Sequence, residues 1–166
     1  LPSQIIDATR LTGVEPLSWA RSFGVHVVSG SLPMKYQWWK NGVRIAGATG
    51  TSLAFSKMKP SDAGSYSFSA TNAQGQTTHT PVSHIAVFAP EHPGFIVEGK
   101  PFEWNIPHGK PPGSTLGFLW SNARNQPWPA SYSGMTTSRL RTEKAVFPLP
   151  DDNIICDVTF TTPGGQ

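Results

Sequence analysis

Cysteine is almost missing from this chain. One residue, Cys156, stands in 166, so no disulfide can form within the chain. The core must therefore be closed by apolar packing alone. A secreted eukaryotic domain of this size usually carries a pair, so the lack fits a bacterial or phage product, or an intracellular eukaryotic one. Charge is scarce as well, at 14% of residues against a usual share of about 25%. The net charge is +3 and the thirteen Lys and Arg are scattered singly. Nucleic-acid binding wants a clustered basic patch that releases counterions, so it is not expected. No run approaches the roughly 20 apolar residues of a membrane span, and membrane insertion is not expected either. No signal peptide and no N-x-S/T sequon occur, and the first residue is Leu1, which fits a processed or truncated chain.

Signatures of catalysis are also wanting. The chain has no G-x-S-x-G elbow, P-loop, G-x-G-x-x-G, H-E-x-x-H or C-x-x-C. His26, His79, His84, His92 and His108 are dispersed, none at ligand spacing from a second ligand, so no metal and no cofactor is expected. Asp151, Asp152 and Asp157 read as turn chemistry at a strand corner. A calcium site would want about six to eight oxygen ligands. A non-enzymatic role follows as the expectation.

Short strands and turns are what the chain does contain. Glycine and proline number 16 each, and Ser and Thr are abundant. Such a composition suits many short strands joined by tight turns, and no segment of useful length has a helical period. Six tryptophans are too much apolar surface for a disordered chain. Residues 4–7 read as an edge strand, 23–28 as a β-rich stretch, and 35–40 as an aromatic strand. Asn41-Gly42 then marks a two-residue hairpin turn in which both positions need positive φ, and 43–45 returns as the partner. Residues 53–55 alternate. Residues 65–71 alternate cleanly, with Tyr66, Phe68 and Ala70 on one face and Ser65, Ser67, Ser69 and Thr71 on the other. A turn at 72–75 leads into a closing strand over 76–88.

Trp38, Lys40-Asn41-Gly42, Leu53, Asp62-Ala63-Gly64-Ser65-Tyr66-Ser67-Phe68, Asn72 and Gly75 together resemble an I-set immunoglobulin-like domain over about residues 20–88. The pattern is similar to the disulfide-free repeats of bacterial surface proteins and phage structural proteins. The resemblance implies a β-sandwich with Trp38 between its sheets and Tyr66 as a tyrosine corner whose hydroxyl bonds back to the backbone. Asp62 would bond its local backbone in the preceding turn, and Gly64 would supply a positive φ. The family's two cysteine positions fall on Phe68, an apolar substitute, and on His26. A bulge that turns His26 outward and brings Val25 or Val27 inward would reconcile the latter with a core.

The remainder reads as a worn second copy. Residues 1–19 form an N-terminal strand and linker, 20–88 the first domain, 89–94 a linker, and 95–166 a second, degenerate immunoglobulin-like β-domain. Residues 99–104 resemble the start of a second strand, 116–120 place Trp120 where Trp38 stands in the first copy, and 146–149 would be a further strand. Residues 152–166 run parallel to 62–76, with Cys156, Val158 and Phe160 inward. That copy would lack its last strand. A cut chain, a different topology, or a strand donated by a neighbour would each account for it.

Contact residues are the remaining question. Trp39 points away from Trp38, either exposed or packed under a neighbouring domain. The long loop over 121–138 carries Gln126, Trp128 and Tyr132, and exposed aromatics in a polar loop suit sugar stacking or protein contacts. The resemblance implies a module on a virion surface or a cell surface, whether a capsid decoration or tail protein or a bacterial adhesin. Its partners would be proteins of a surface assembly, with self-association through the C-terminal edge and glycan as further partners. The alternative is a carbohydrate-binding accessory region of a secreted enzyme.

Overall fold

The structure, a computed structural model, describes residues 4–8, 13–16, 21–88, 99–122, 127–143, 145 and 154–164. Nine strands build a first sandwich: β1 (Gln4–Ala8), β2 (Gly13–Pro16), β3 (Arg21–Ser29), β4 (Lys35–Lys40), β5 (Val43–Arg44), β6 (Ser52–Phe55), β7 (Gly64–Thr71), β8 (Thr77–His79) and β9 (Ser83–Phe88). One sheet has the order β1-β3-β6. The other runs β9-β7-β4-β5, with β8 also on β7 and β2 parallel to β9. Period-two alternation places Phe23, Val25, Trp38, Tyr66, Phe68 and Ile85 between the sheets.

The cysteine-free core is legible in these contacts. Phe68 is fully buried, edge-on to Trp38 at 5.1 Å between ring centroids and stacked with Tyr36 at 5.6 Å. A disulfide is worth about 2–4 kcal/mol, and burying one large apolar side chain about 1.5–3 kcal/mol. Burial of Phe68, at one of the two cysteine positions, is thus of the same order as the missing bridge. The register of β1 on β3 slips on both sides of the Ile5–Val27 pair. His26 is exposed, while Val25 is buried and Val27 packs on the core.

Turn chemistry fixes the connections. Asn41 (φ 51°) and Gly42 (φ 78°) both lie in the left-handed region and close the β4–β5 hairpin. The Asn72 side chain accepts from the Gln74 and Gln76 amides at 3.0 and 2.9 Å. A single 3-10 turn, Pro60–Asp62, precedes β7, and the Asp62 carboxylate accepts from the Lys59 amide at 2.8 Å. The Tyr66 hydroxyl donates to the Asp62 carbonyl. Gly64 differs from expectation. It lies inside β7 without a positive φ, and what it supplies is space: a Cβ there would stand 2.7 Å from Lys40 Cε and 3.2 Å from Asn41 Oδ1. The closing strand over 76–88 also differs, being split into β8 and β9. Pro81 has no amide to give a ladder, and Thr80 takes over opposite Phe68. Its hydroxyl accepts from the Phe68 amide at 3.0 Å and its own amide donates to the Phe68 carbonyl at 2.9 Å.

Burial, and secondly the nearby Asp62 charge, raise the Tyr66 pKa far above its ordinary value of 10.0. The folded state therefore favours the neutral phenol. Its contribution is complete below about pH 10 and declines as pH rises beyond that, because the unfolded chain then ionises first. Tyr66→Phe is expected to cost about 1 kcal/mol at neutral pH. It should also flatten the alkaline fall in stability between about pH 9 and 12. Urea melts across that range check this, and parallel curves for the two proteins would contradict it.

The second unit has β10 (Phe102–Asn105), β11 (His108–Gly109), β12 (Thr115–Asn122), β13 (Tyr132–Ser133), β14 (Arg139–Thr142) and β15 (Ile154–Thr161). Its sheets are β10-β14-β13 and β12-β15. Ile106, Phe118, Trp120, Tyr132 and Leu140 form its core. The strand expected at 146–149 lies outside the described residues, and β14 takes the place beside β10. Inside the stretch read as one loop, Tyr132 and Ser133 form a strand against β14. On β15, Ile154, Cys156, Val158 and Phe160 are half-buried and alternate with exposed residues. β11 leaves its own unit and pairs with β9, His108 opposite Phe88 and Gly109 opposite Val87. Among the described residues no helix is long and apolar enough to cross a membrane.

Candidate functional site

The hairpin register builds a cleft on the outer face of the sheet. A two-residue turn at Asn41-Gly42 sets Lys40 opposite Val43 and Trp39 opposite Arg44. Trp38 faces the core, so Trp39 and Arg44 share the outer face of the sheet. Antiparallel pairing with β7 adds Ser69 beside Gln37 and Thr71 beside Lys35, and β8 adds His79 and Thr77. These side chains line a cleft of about 340 Å³. Its charged lining residues are Lys35 and Arg44, His79 lines it too, and no carboxylate lines it among the described residues.

The cleft is held by a hydrogen-bond network. Gln37 is only 8% exposed. Its amide donates to the Trp38 and Ile45 carbonyls at 2.8 and 2.7 Å. That leaves its oxygen to accept from Arg44 Nε at 3.3 Å and Nη2 at 3.0 Å. A buried amide with all its partners in place resists reorientation, because breaking one bond leaves a desolvated polar group. The Trp39 indole N–H donates to Ser69 Oγ at 2.9 Å, and Ser69 Oγ lies 3.4 Å from the Gln37 carbonyl. Arg44 sits over the Trp39 ring at 6.0 Å and His79 lies 6.1 Å from it. The Thr71 and Thr77 hydroxyls meet at 2.8 Å.

The structure distributes the residues singled out from sequence between core and surface. Trp38 and Trp120 occupy equivalent places: each indole donates to a loop carbonyl, Gly50 at 3.0 Å and Thr137 at 2.8 Å. Trp39 lines the cleft on the outer face. Trp128 and Tyr132 do not form an exposed platform. Tyr132 is 6% exposed within the second core. Trp128 is half-buried against it, tilted 45° to Tyr132, with its indole donating to the Trp120 carbonyl at 3.0 Å. The physical reason is the β13–β14 pairing, which draws Tyr132 inward. Gln126 lies outside the described residues, as do Asp151 and Asp152. Gln37 and Arg44 were missed. The hairpin turn was the signal, since its two-residue length alone sets Arg44 beside Trp39.

Among the described residues no group of three or more His, Cys, Asp or Glu could hold a metal ion. Ser65 Oγ and His84 Nδ1 are 2.9 Å apart as cross-strand neighbours. Among the described residues His84 has Ser65 and no acidic group as its partner. Burial pushes the Cys156 thiol up to about 11. Its alkylation at pH 8 is therefore expected to be at least about tenfold slower than that of the unfolded chain. Equal rates with iodoacetamide in native and denaturing buffer would contradict that.

No known protein family matches the chain, and no curated protein does. Solved structures do. Sidekick-1 immunoglobulin domains 1-5 and 1-4 each superpose with a TM-score of 0.50 at 15% identity, covering 99% of this chain. The chain spans 35% and 44% of those two, less than half of either. The N-terminal eight immunoglobulin domains of Down Syndrome Cell Adhesion Molecule align at a TM-score of 0.45 and 14% identity, over 87% of this chain and 24% of that one. The sheet orders described above and the two Sidekick-1 superpositions define an immunoglobulin-like β-sandwich fold.

Proposed function

We propose that the chain is a non-enzymatic immunoglobulin-like module of the I-set kind. It is displayed on a phage virion, as a decoration or tail protein, or on a bacterial cell surface, and it mediates protein–protein assembly or adhesion. One observation carries the reading: the outer face of β5-β4-β7-β8 presents Trp39 and Arg44, each fixed by a hydrogen bond to a neighbouring strand. Tryptophan and arginine are the residue types that dominate protein contacts, and both are held in place before any partner arrives. The parallel pairing of β2 with β9 supports the I-set assignment. The bacterial or phage setting rests on the cysteine-free core and on the sequence pattern. Self-association through the C-terminal β15 is a second contact mode, since β15 pairs only with β12 among the described residues. A carbohydrate-binding accessory role through Trp128 and Tyr132 loses its basis in the burial of Tyr132.

Bead adhesion tests the proposal. Beads coated with the chain are mixed with beads carrying the same chain, and with intact cells or particles that bear it. Adhesion is expected, and Arg44→Glu should abolish it while Ala54→Glu, on the opposite sheet, leaves it intact. Absence of adhesion in every pairing, or equal loss with both variants, would overturn the reading.

A further inference from the structure

We propose that the cleft beside Trp39 binds a uronic-acid unit of an acidic polysaccharide. The inference shares the outer face with the adhesion reading and rests on it for that face being open to a ligand. Its test, in solution, is separate.

Three features point to this ligand class. The first is charge. Lys35 and Arg44 line the cleft without an acidic neighbour among the described residues. A guanidinium has five N–H donors, and Arg44 gives two of its groups, Nε and Nη2, to Gln37. The remaining donors stay available for a carboxylate, whose planar oxygens match the guanidinium fork. Because Gln37 is locked by two backbone carbonyls, Arg44 is oriented without a ligand, and little ordering entropy is lost when one binds.

The second feature is the aromatic wall. Trp39 is fixed by its bond to Ser69. The C–H groups on one face of a pyranose ring carry partial positive charge and meet the negative face of an indole favourably. The third feature is hydroxyl chemistry. The Thr71 and Thr77 pair offers donors and acceptors to ring hydroxyls within the same cleft. A space of about 340 Å³ lies at the lower end of the range for small-ligand sites, a size suited to one or two sugar rings. An acidic peptide would satisfy the cations but brings no pyranose face to the indole edge left open beside Arg44.

The test uses the full chain, titrated with trimers of galacturonic, glucuronic and mannuronic acid. The carboxyl-reduced form of each trimer and a glutamate hexapeptide serve as the other arms. Binding is read by calorimetry and by NMR shifts of the Trp39 indole and the Thr71 and Thr77 amides. At least one uronate trimer should bind and move those signals. Its reduced form and the peptide should bind about tenfold more weakly or not at all, the size of one charged hydrogen-bonded contact. Arg44→Gln, Lys35→Gln and Trp39→Ala should each weaken binding by about tenfold, while Trp128→Ala leaves it unchanged. Lys35 and Arg44 are exposed, so their variants keep the fold and the comparison stands even if Trp39→Ala does not. No binding by any uronate, equal binding of the reduced form, or equal binding of the peptide would each overturn the proposal. Failure here with adhesion intact would leave the face a protein-contact surface. Uronate binding without bead adhesion would remove the adhesion reading and keep the sugar site.

Discussion

Phe68→Ala is expected to lower the stability of the first sandwich by about 3–5 kcal/mol. The side chain is fully buried, and its ring meets Trp38 and Tyr36 on two sides. Truncation would remove its transfer energy and leave a cavity that the two neighbouring rings, each held on β4, cannot collapse to fill. No disulfide compensates, because the chain has one cysteine. A domain of this size is stable by only about 5–15 kcal/mol, so the change takes a large share of the total. Native-state hydrogen exchange at the Trp38 and Ala70 amides reads it directly, since the slowest amides report global unfolding. A loss below about 1 kcal/mol, the size of an ordinary point-mutation effect, would mean that Phe68 is not the centre of that core.

Gly109→Val should detach β11 from the first sandwich. A Cβ at position 109 would stand 1.9 Å from the Pro60 carbonyl oxygen and 2.7 Å from its carbon. Both are backbone atoms of the turn before β7, so no side-chain rotation relieves the clash. Overpacking of this kind typically costs about 1–3 kcal/mol or more. The ladder lost is the pairing of His108 with Phe88 and Gly109 with Val87. Exchange of the His108 amide and of the amides on β9 near Phe88 should accelerate, while β12 and β15, remote from the clash, keep their protection. Unchanged exchange across residues 85–88 would contradict this docking of the second unit onto the first.

The first sandwich was largely legible in the sequence because each of its signals is local. Alternation over 65–71 names the inward residues, and Asn41-Gly42 names a hairpin. The break at Pro81 was harder to see, since the residues on either side continue a strand-like composition. Its detection depends on Thr80 finding Phe68 across the sheet, a contact between positions twelve apart. In the second unit β14 carries little pattern: Leu140 is its single large apolar residue, and its buried Thr142 is polar. Tyr132 sits on a two-residue strand in a turn-rich stretch, so no periodicity marks it as core. The docking of β11 is a tertiary event between His108-Gly109 and β9 that no local rule encodes. As for the cleft, Trp39 was visible as an outward aromatic. Its partner Arg44 was implied by the turn length, but the buried Gln37 that orients Arg44 has no signature in sequence.

Site-directed photo-cross-linking tests the central claim, that the outer face of β5-β4-β7-β8 is the contact surface. A benzophenone side chain is placed at His79, exposed beside Trp39, and in a second protein at Ala54, exposed on the opposite sheet. Each is illuminated while the chain adheres to the surface that bears it. Adducts from position 79 that concentrate on one partner species, with few from position 54, are the predicted result. Adducts that are equal from both positions, or that arise mainly from position 54, would contradict it.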